Sequence, residues 1–296
     1  TAHWLANKLA NKPAFSPEGI EQRNNLGLKP ITMQDLWDLY TKEELPQVAG
    51  WSSHVSPPCS DWKNVNVTGW WTVDEQAVLQ EFAPSNELED FLGKWGKNVV
   101  YMGWGSMLSG SAGEMASYAV EAAMAAEVPA IVLGGWAKIN SEAITDGRLK
   151  EYAKAKMLFY PGKLPHEWLF QRCSCAVIHG GGGTTGAVLR SGIPCIITPI
   201  ISDQFYWAAC MNRLNVGKGF SQHLSKVPSK DLGAAIVDCQ TNTSIRQNAE
   251  KLGNQIRQEN GAAKAAAIMA KVAQDSASGQ WENPFTGDNA TKTVCC

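Results

Sequence analysis

Short unbroken apolar runs recur through the middle of this chain, and helix-like stretches fill the gaps between them. The runs are Val99–Met102, Ala130–Leu133, Met157–Tyr160, Cys175–Ile178 and Pro194–Thr198. A strand with no polar alternate leaves no face for water, so these runs predict strands buried on both sides, as in a parallel sheet covered by helices. Between them, Glu114–Glu127, His166–Phe170, a segment after the glycines at 180–183, and Asp203 to about Leu214 carry helical patterns. The alternation predicts an α/β fold, a doubly wound parallel sheet, whose ligands sit at the carboxyl ends of the strands.

The flanks read differently. Residues 1–95 are irregular and rich in Pro, Trp and Asn, with one helix-like stretch at Met33–Tyr40 and a turn-laden run at Ser56–Trp62. The segment from Leu232 to Gln274 reads as two or three helices broken at Gly261, and 279–296 as a loose tail. The expected organisation is therefore 1–95 as a connection, 96–278 as the α/β domain and 279–296 as tail. A start at Thr1-Ala2-His3-Trp4, with no initiator Met and no signal-peptide pattern, suggests a chain cut from something longer.

Charge and composition exclude several classes. With Lys+Arg 26 against Asp+Glu 28 there is no basic field for nucleic acid phosphates. The apolar run Ile193–Ile201 is interrupted by prolines and falls short of the roughly 20 residues that cross a bilayer. Eight cysteines show no CxxC pair and no zinc-type spacing, which points to buried, reduced thiols and a cytoplasmic setting. The sequons at Asn66, Asn242 and Asn289 are then expected to be unused. The terminal Cys295-Cys296 completes no lipidation box. His3, His54 and His223 lie in polar or irregular surroundings and read as surface residues, and His166 reads equally well as a helix-stabilising residue or a ligand contact.

The chemistry concentrates in Ile178-His179-Gly180-Gly181-Gly182-Gly183-Thr184-Thr185-Gly186, between an apolar strand and a helix. At such a corner the free N–H groups and positive dipole end of the helix face the strand's carboxyl edge, and glycines let a phosphate approach the backbone. The same residues satisfy GxGxxG at Gly181, Gly183 and Gly186, with Asp203 near the end of the next strand, so a nicotinamide-binding reading stands beside a diphosphate-binding one. The run comes late in the chain, whereas a dinucleotide fingerprint usually opens the first βαβ unit, and His179 has a role only beside a diphosphate.

Leu164-Pro165-His166-Glu167-Trp168-Leu169-Phe170, then His179 to Thr185, Gly192-Ile193-Pro194 and Asp203-Gln204-Phe205-Tyr206-Trp207, resemble the donor-binding signature of family 1 glycosyltransferases, most nearly the sterol glucosyltransferases. Trp51-Ser52 to Asp61-Trp62, Val67-Thr68-Gly69-Trp70-Trp71 and Gly103-Trp104-Gly105-Ser106-Met107 are similar to that subgroup's interdomain region and first donor-domain loop. The subgroup has two adjacent histidines; here Ile178 fills the first place and His179 the second.

The resemblance implies the carboxyl-terminal Rossmann-like domain of a GT-B enzyme, preceded by a remnant of the other domain. It implies that Gly181, Gly182, Gly183 and Thr184 N–H groups, with the Thr184 and Thr185 hydroxyls and His179, hold the diphosphate of a UDP-sugar. Gly105 and Ser106 would approach from the facing loop. Lys163 to His166, with Leu164, would lie along the uridine, and Asp203 and Gln204 would bind the sugar. No cofactor and no metal are implied, and no DxD metal motif is present. The implied activity is an inverting transfer of a hexose, glucose by subgroup likeness, to a sterol or other lipophilic hydroxyl, with peripheral membrane contact in the full-length protein. The base that activates the acceptor belongs to the preceding domain of such enzymes, so this chain alone is expected to be inactive. The alternatives are a non-catalytic nucleotide-sugar-binding module and an NAD-dependent oxidoreductase.

Overall fold

Every apolar run named above becomes a strand. The structure is a computed structural model that describes residues 16–25, 32, 34, 46–62, 64–72 and 82–278. All but Gln34 of the helix expected at Met33–Tyr40, the tail at 279–296, His3, Asn289 and Cys295-Cys296 fall outside the described residues. The chain divides into two compact units: one of Thr1–Ala49, Pro58–Val67 and Ala263–Cys296, the other of Gly50–Pro57 and Thr68–Ala262. The first contains helix α1 (Pro17–Asn25) and a parallel pair, β1 (Gln47–Ala49) with β2 (Val65–Val67), registered Gln47↔Val65 to Ala49↔Val67.

The larger unit runs α2 (Asn86–Trp95), β3 (Val100–Gly103), α3 (Ala112–Ala125), β4 (Ala130–Leu133), α4 (Gly147–Lys156), β5 (Met157–Tyr160), α5 (His166–Phe170), β6 (Cys175–Ile178), α6 (Gly182–Ser191), β7 (Cys195–Ile197), α7 (Gln204–Leu214), β8 (Gly217–Gly219), α8 (Ser229–Thr241) and α9 (Thr243–Arg257). Helix α10 (Gly261–Ala277) follows, belonging to the first unit from Ala263 on, so Gly261 opens a third helix after the sheet. The unit thus takes in 50–57 and 68–72 as well as α2, stretches whose sequence reads as connection.

The sheet is six-stranded, wholly parallel and ordered β5-β4-β3-β6-β7-β8. Alternate residues of each strand serve opposite cores. Val100, Met102, Ala130, Val132, Cys175, Val177 and Ile196 face α3 and α8; Tyr101, Ile131, Leu158, Ala176, Ile178 and Ile197 face α5, α6, α7 and α9. Each fully buried Val, Leu or Ile contributes about 1.5–3 kcal/mol, so a one-residue slip, which would exchange the two sets, is strongly disfavoured. Strand order reverses between β3 and β6, which places the crevice for a ligand at their carboxyl ends.

Two of the three sequon asparagines have structural partners. Asn66 donates to the Gln47 carbonyl, and Asn242 caps α9 by accepting from Ser244 and Ile245 N–H. Among the described residues, Cys59 is exposed and Cys173, Cys175, Cys195, Cys210 and Cys239 are buried, all as free thiols. Burial pushes the Cys173 thiol up to about 12, which makes it a poor nucleophile.

Candidate functional site

The corner between β6 and α6 is short: Ile178 ends the strand, and only His179, Gly180 and Gly181 precede the first helical residue. Gly180 adopts a φ of +96°, and a Cβ there would lie 2.7 Å from Ile197 Cγ2, so both conformation and space demand glycine. Gly181 is the N-cap and has no side chain to offer, and the first intrahelical bond runs from Thr185 N to the Gly181 carbonyl at 2.9 Å. The N–H groups of Gly182, Gly183 and Thr184 therefore point out of the helix end with no acceptor among the described residues. Helices α5 and α7, which follow β5 and β7, also open without a side-chain cap, at Pro165 and Asp203.

The His179 ring sits between two glycines. A Cβ on Gly181 would come within 2.6 Å of His179 Nε2, and one on Gly105 within 3.4 Å of Cε1. The loop after β3 is thus brought against the loop after β6, across the point where strand order reverses. His179 Nδ1 is buried and has no hydrogen-bond partner among the described residues. Leaving such an atom unpaired costs about 1–3 kcal/mol, a penalty removed when a ligand supplies the partner. Burial holds the imidazole below its ordinary pKa, against the opposing pull of the Asp203 carboxylate, so the ring is neutral at pH 7.

Gly105 and Ser106 are exposed on a loop that is anchored from below. The buried Trp104 indole donates to Thr198 Oγ1 at 3.0 Å, and Ala137 N donates to the Gly105 carbonyl at 3.4 Å. His166 is the first residue of α5, which begins beyond edge strand β5, yet it reaches β3: its ring lies 6.0 Å from that of Tyr101 and stacks on Phe170 at 4.7 Å and 9°. The segment holding Leu164 and His166 therefore crosses β4 toward the crevice. Leu164 itself is buried, and burial lowers the His166 pKa, with Glu167 opposing.

The remaining expected contacts occupy varied settings. Thr184 is half-buried, whereas Thr185 is fully buried and its hydroxyl has no partner among the described residues. Asp203 is exposed and accepts from Trp207 Nε1 at 2.8 Å. Gln204 is buried, and its Oε1 accepts from Ile200 N at 2.8 Å and Ile201 N at 2.9 Å, which shapes the loop after β7. His54 is exposed, and His223 accepts from Ser225 N to cap a 3-10 turn. No group of three or more His, Cys, Asp or Glu side chains is placed to hold a metal ion among the described residues.

One partner of the corner lies far away in sequence. Trp70 packs on α6 so closely that a Cβ on Gly186 would come within 2.4 Å of its Nε1, and that nitrogen donates to the Gly182 carbonyl at 3.1 Å. Trp70 also meets Trp207 at 6.1 Å. The third glycine of the GxGxxG pattern is thus required by an indole. Only the glycine itself, unexplained on a helix face, signals such an approach in the sequence.

Residues 160–274 match Erythromycin biosynthesis protein CIII-like, C-terminal domain, a glycosyltransferase-family domain. Its curated sequence relatives include sterol 3-beta-glucosyltransferases. That of Debaryomyces hansenii is 34% identical over 244 residues, covering 81% of this chain and 15% of the relative; that of Komagataella phaffii is 34% identical over 279 residues, covering 90% and 22%. The chain thus spans about a fifth or less of the length of these relatives. Among solved structures, UDP-glucose: anthocyanidin 3-O-glucosyltransferase in complex with UDP superposes with a TM-score of 0.64 at 17% identity, covering 81% of this chain and 56% of that one. The glycotransferase of kitacinnamycin superposes with a TM-score of 0.59 at 15% identity, covering 89% and 65%. These likenesses establish the fold.

Proposed function

We propose that this chain supplies the UDP-sugar-binding half of an inverting, metal-independent glucosyltransferase whose acceptor is a sterol or another lipophilic alcohol. The observation that carries the reading is the β6–α6 corner: among the described residues, three N–H groups without acceptors and a neutral imidazole with a buried unpartnered nitrogen converge where strand order reverses. In an inverting transfer the acceptor oxygen attacks the anomeric carbon as UDP departs, so negative charge grows on the diphosphate. Oriented N–H donors at that place bind the transition state more strongly than the ground state. The helix dipole adds about 0.3–2 kcal/mol for an anion at this end.

The donor assignment, UDP-glucose, and the sterol class of the acceptor draw on the names of the relatives. Leu108, Trp136 and Ile201 support a lipophilic acceptor, because these large apolar side chains stay exposed in the loops after β3, β4 and β7. Among the described residues no helix is long and apolar enough to cross a membrane. A cytoplasmic location with peripheral contact to membranes is part of the proposal and follows from the lipophilic acceptor it assumes. The dinucleotide reading loses its main support, since Gly186 serves Trp70 and Asp203 is engaged by Trp207.

Thermal melting tests the reading. UDP or UDP-glucose at 100 times its dissociation constant is expected to stabilise the chain by about 2.7 kcal/mol. The shift should be unchanged by EDTA, and NAD at the same concentration should give none. A shift with NAD and none with UDP would overturn the assignment.

A further inference from the structure

Tyr101 lies on β3 on the face that carries α5 and α6, and its ring leans toward the carboxyl edge of the sheet. A Cβ on Gly103, two residues on, would sit 2.3 Å from the Tyr101 hydroxyl oxygen, so the glycine exists to let the ring lie there. The ring meets Phe170 edge-on at 4.9 Å and His166 at 6.0 Å. Tyr101 is 2% exposed, and its hydroxyl makes no hydrogen bond among the described residues. A phenol used only for packing gains nothing over Phe, and buried tyrosines usually satisfy their hydroxyl. Here the polar tip lies over Gly103, the last residue of β3, at the carboxyl edge of the sheet. Burial raises the Tyr101 pKa, so the hydroxyl keeps its proton and can donate.

Resting on the donor-site reading above, we infer that the Tyr101 hydroxyl is a hydrogen-bonding contact for the uridine end of the donor nucleotide. Position selects that end. Gly103 pairs with Ile178, and His179 and the uncapped start of α6 follow directly, which fixes the diphosphate on the α6 side. Tyr101 stands toward α5, against His166 at the first turn of that helix. A nucleotide whose phosphates lie at α6 and whose nucleoside extends toward α5 passes over the hydroxyl.

The test is calorimetric titration of wild type, Tyr101→Phe and Phe170→Leu with UDP and with UMP. Tyr101→Phe keeps the ring and removes the donor, so its apo melting temperature should stay at or above that of wild type, while affinity for UDP and UMP falls by the same factor, about three- to tenfold. Phe170→Leu disturbs the same aromatic cluster but leaves the hydroxyl, and should retain affinity within about twofold. Equal losses in both variants would make Tyr101 a packing residue and overturn the inference, as would unaltered affinity in Tyr101→Phe. A loss confined to UDP would move the contact to the terminal phosphate and overturn the uridine assignment. Absence of UDP binding by wild type would instead remove the donor-site reading, and this inference with it.

Discussion

Helices α3 and α6 follow the two strands that meet where strand order reverses, yet their first turns are built in opposite ways. At α3 the chain satisfies itself. Ser111 accepts from Glu114 N at 3.2 Å while Glu114 Oε2 accepts from Ser111 N at 2.7 Å, a complete capping box. At α6 the cap is Gly181, and the donors stay open. A helix start that lacks a cap forgoes about 0.5–2 kcal/mol, and under the proposed function the bare start of α6 is the one an outside anion would complete.

The contrast breaks most sharply at Gly183. A Cβ there meets nothing within 4 Å, so Gly183→Asp fits, and it places a carboxylate in the first turn, where the dipole favours it. Melting of the free protein should rise, by about 1 kcal/mol in stability, as glycine leaves a helix and a charge joins its amino end. Affinity for UDP-glucose should fall roughly 100-fold through repulsion of the diphosphate. Tight binding by this variant would show that the α6 start does not face the ligand.

A smaller effect is expected at His179. Removing the ring by His179→Ala should weaken UDP-glucose binding about tenfold, the worth of a charge-assisted hydrogen bond. The bound diphosphate favours the imidazolium, so wild-type affinity should increase as pH falls from 8 to 6, and titrations across that range should show this slope only while His179 is present. Stability runs the other way. Burial lowers the folded-state pKa of both His179 and His166, so the unfolded chain takes up protons first, and the free protein should lose stability as pH drops through about 6.5.

The smallest effect belongs to the self-satisfied helix. Ser111→Ala should cost about 1 kcal/mol of stability, read as a lower melting temperature, and leave UDP-glucose affinity unchanged. If affinity dropped as well, the two helix starts would not be the independent devices described here.

The apolar runs and the glycine corner were legible because both are local. Met157–Tyr160, His166–Phe170 and Cys175–Ile178 form at the boundaries their sequence predicts, since burial on both faces requires unbroken apolar residues. Strand β8 was not legible. It reads Gly-Lys-Gly; it pairs with β7 from Cys195↔Gly217 to Ile197↔Gly219, and Asn212 holds both the N–H and the carbonyl of Gly219, at 2.9 and 2.7 Å. A Cβ on Gly219 would lie 1.8 Å from the Ala208 carbonyl oxygen, so close helix approach has replaced any side-chain pattern. Helix α2 was missed because its amphipathic residues sit among irregular neighbours. In the site, the hand-over of Leu164 and His166 from edge strand β5 to β3, and the reach of Trp70 to α6, depend on tertiary contacts that no local window contains.

The indole of Trp70 has a further consequence. It binds the carbonyl of the peptide group whose N–H belongs to Gly183, and a peptide group that accepts at its oxygen becomes a stronger donor at its nitrogen. The aromatic ring is thereby wired through one amide plane to whatever anion docks on the other side. On the proposed reading an anion bound at this corner perturbs the Trp70 indole, so a change in tryptophan emission on addition of UDP is the expected label-free signal.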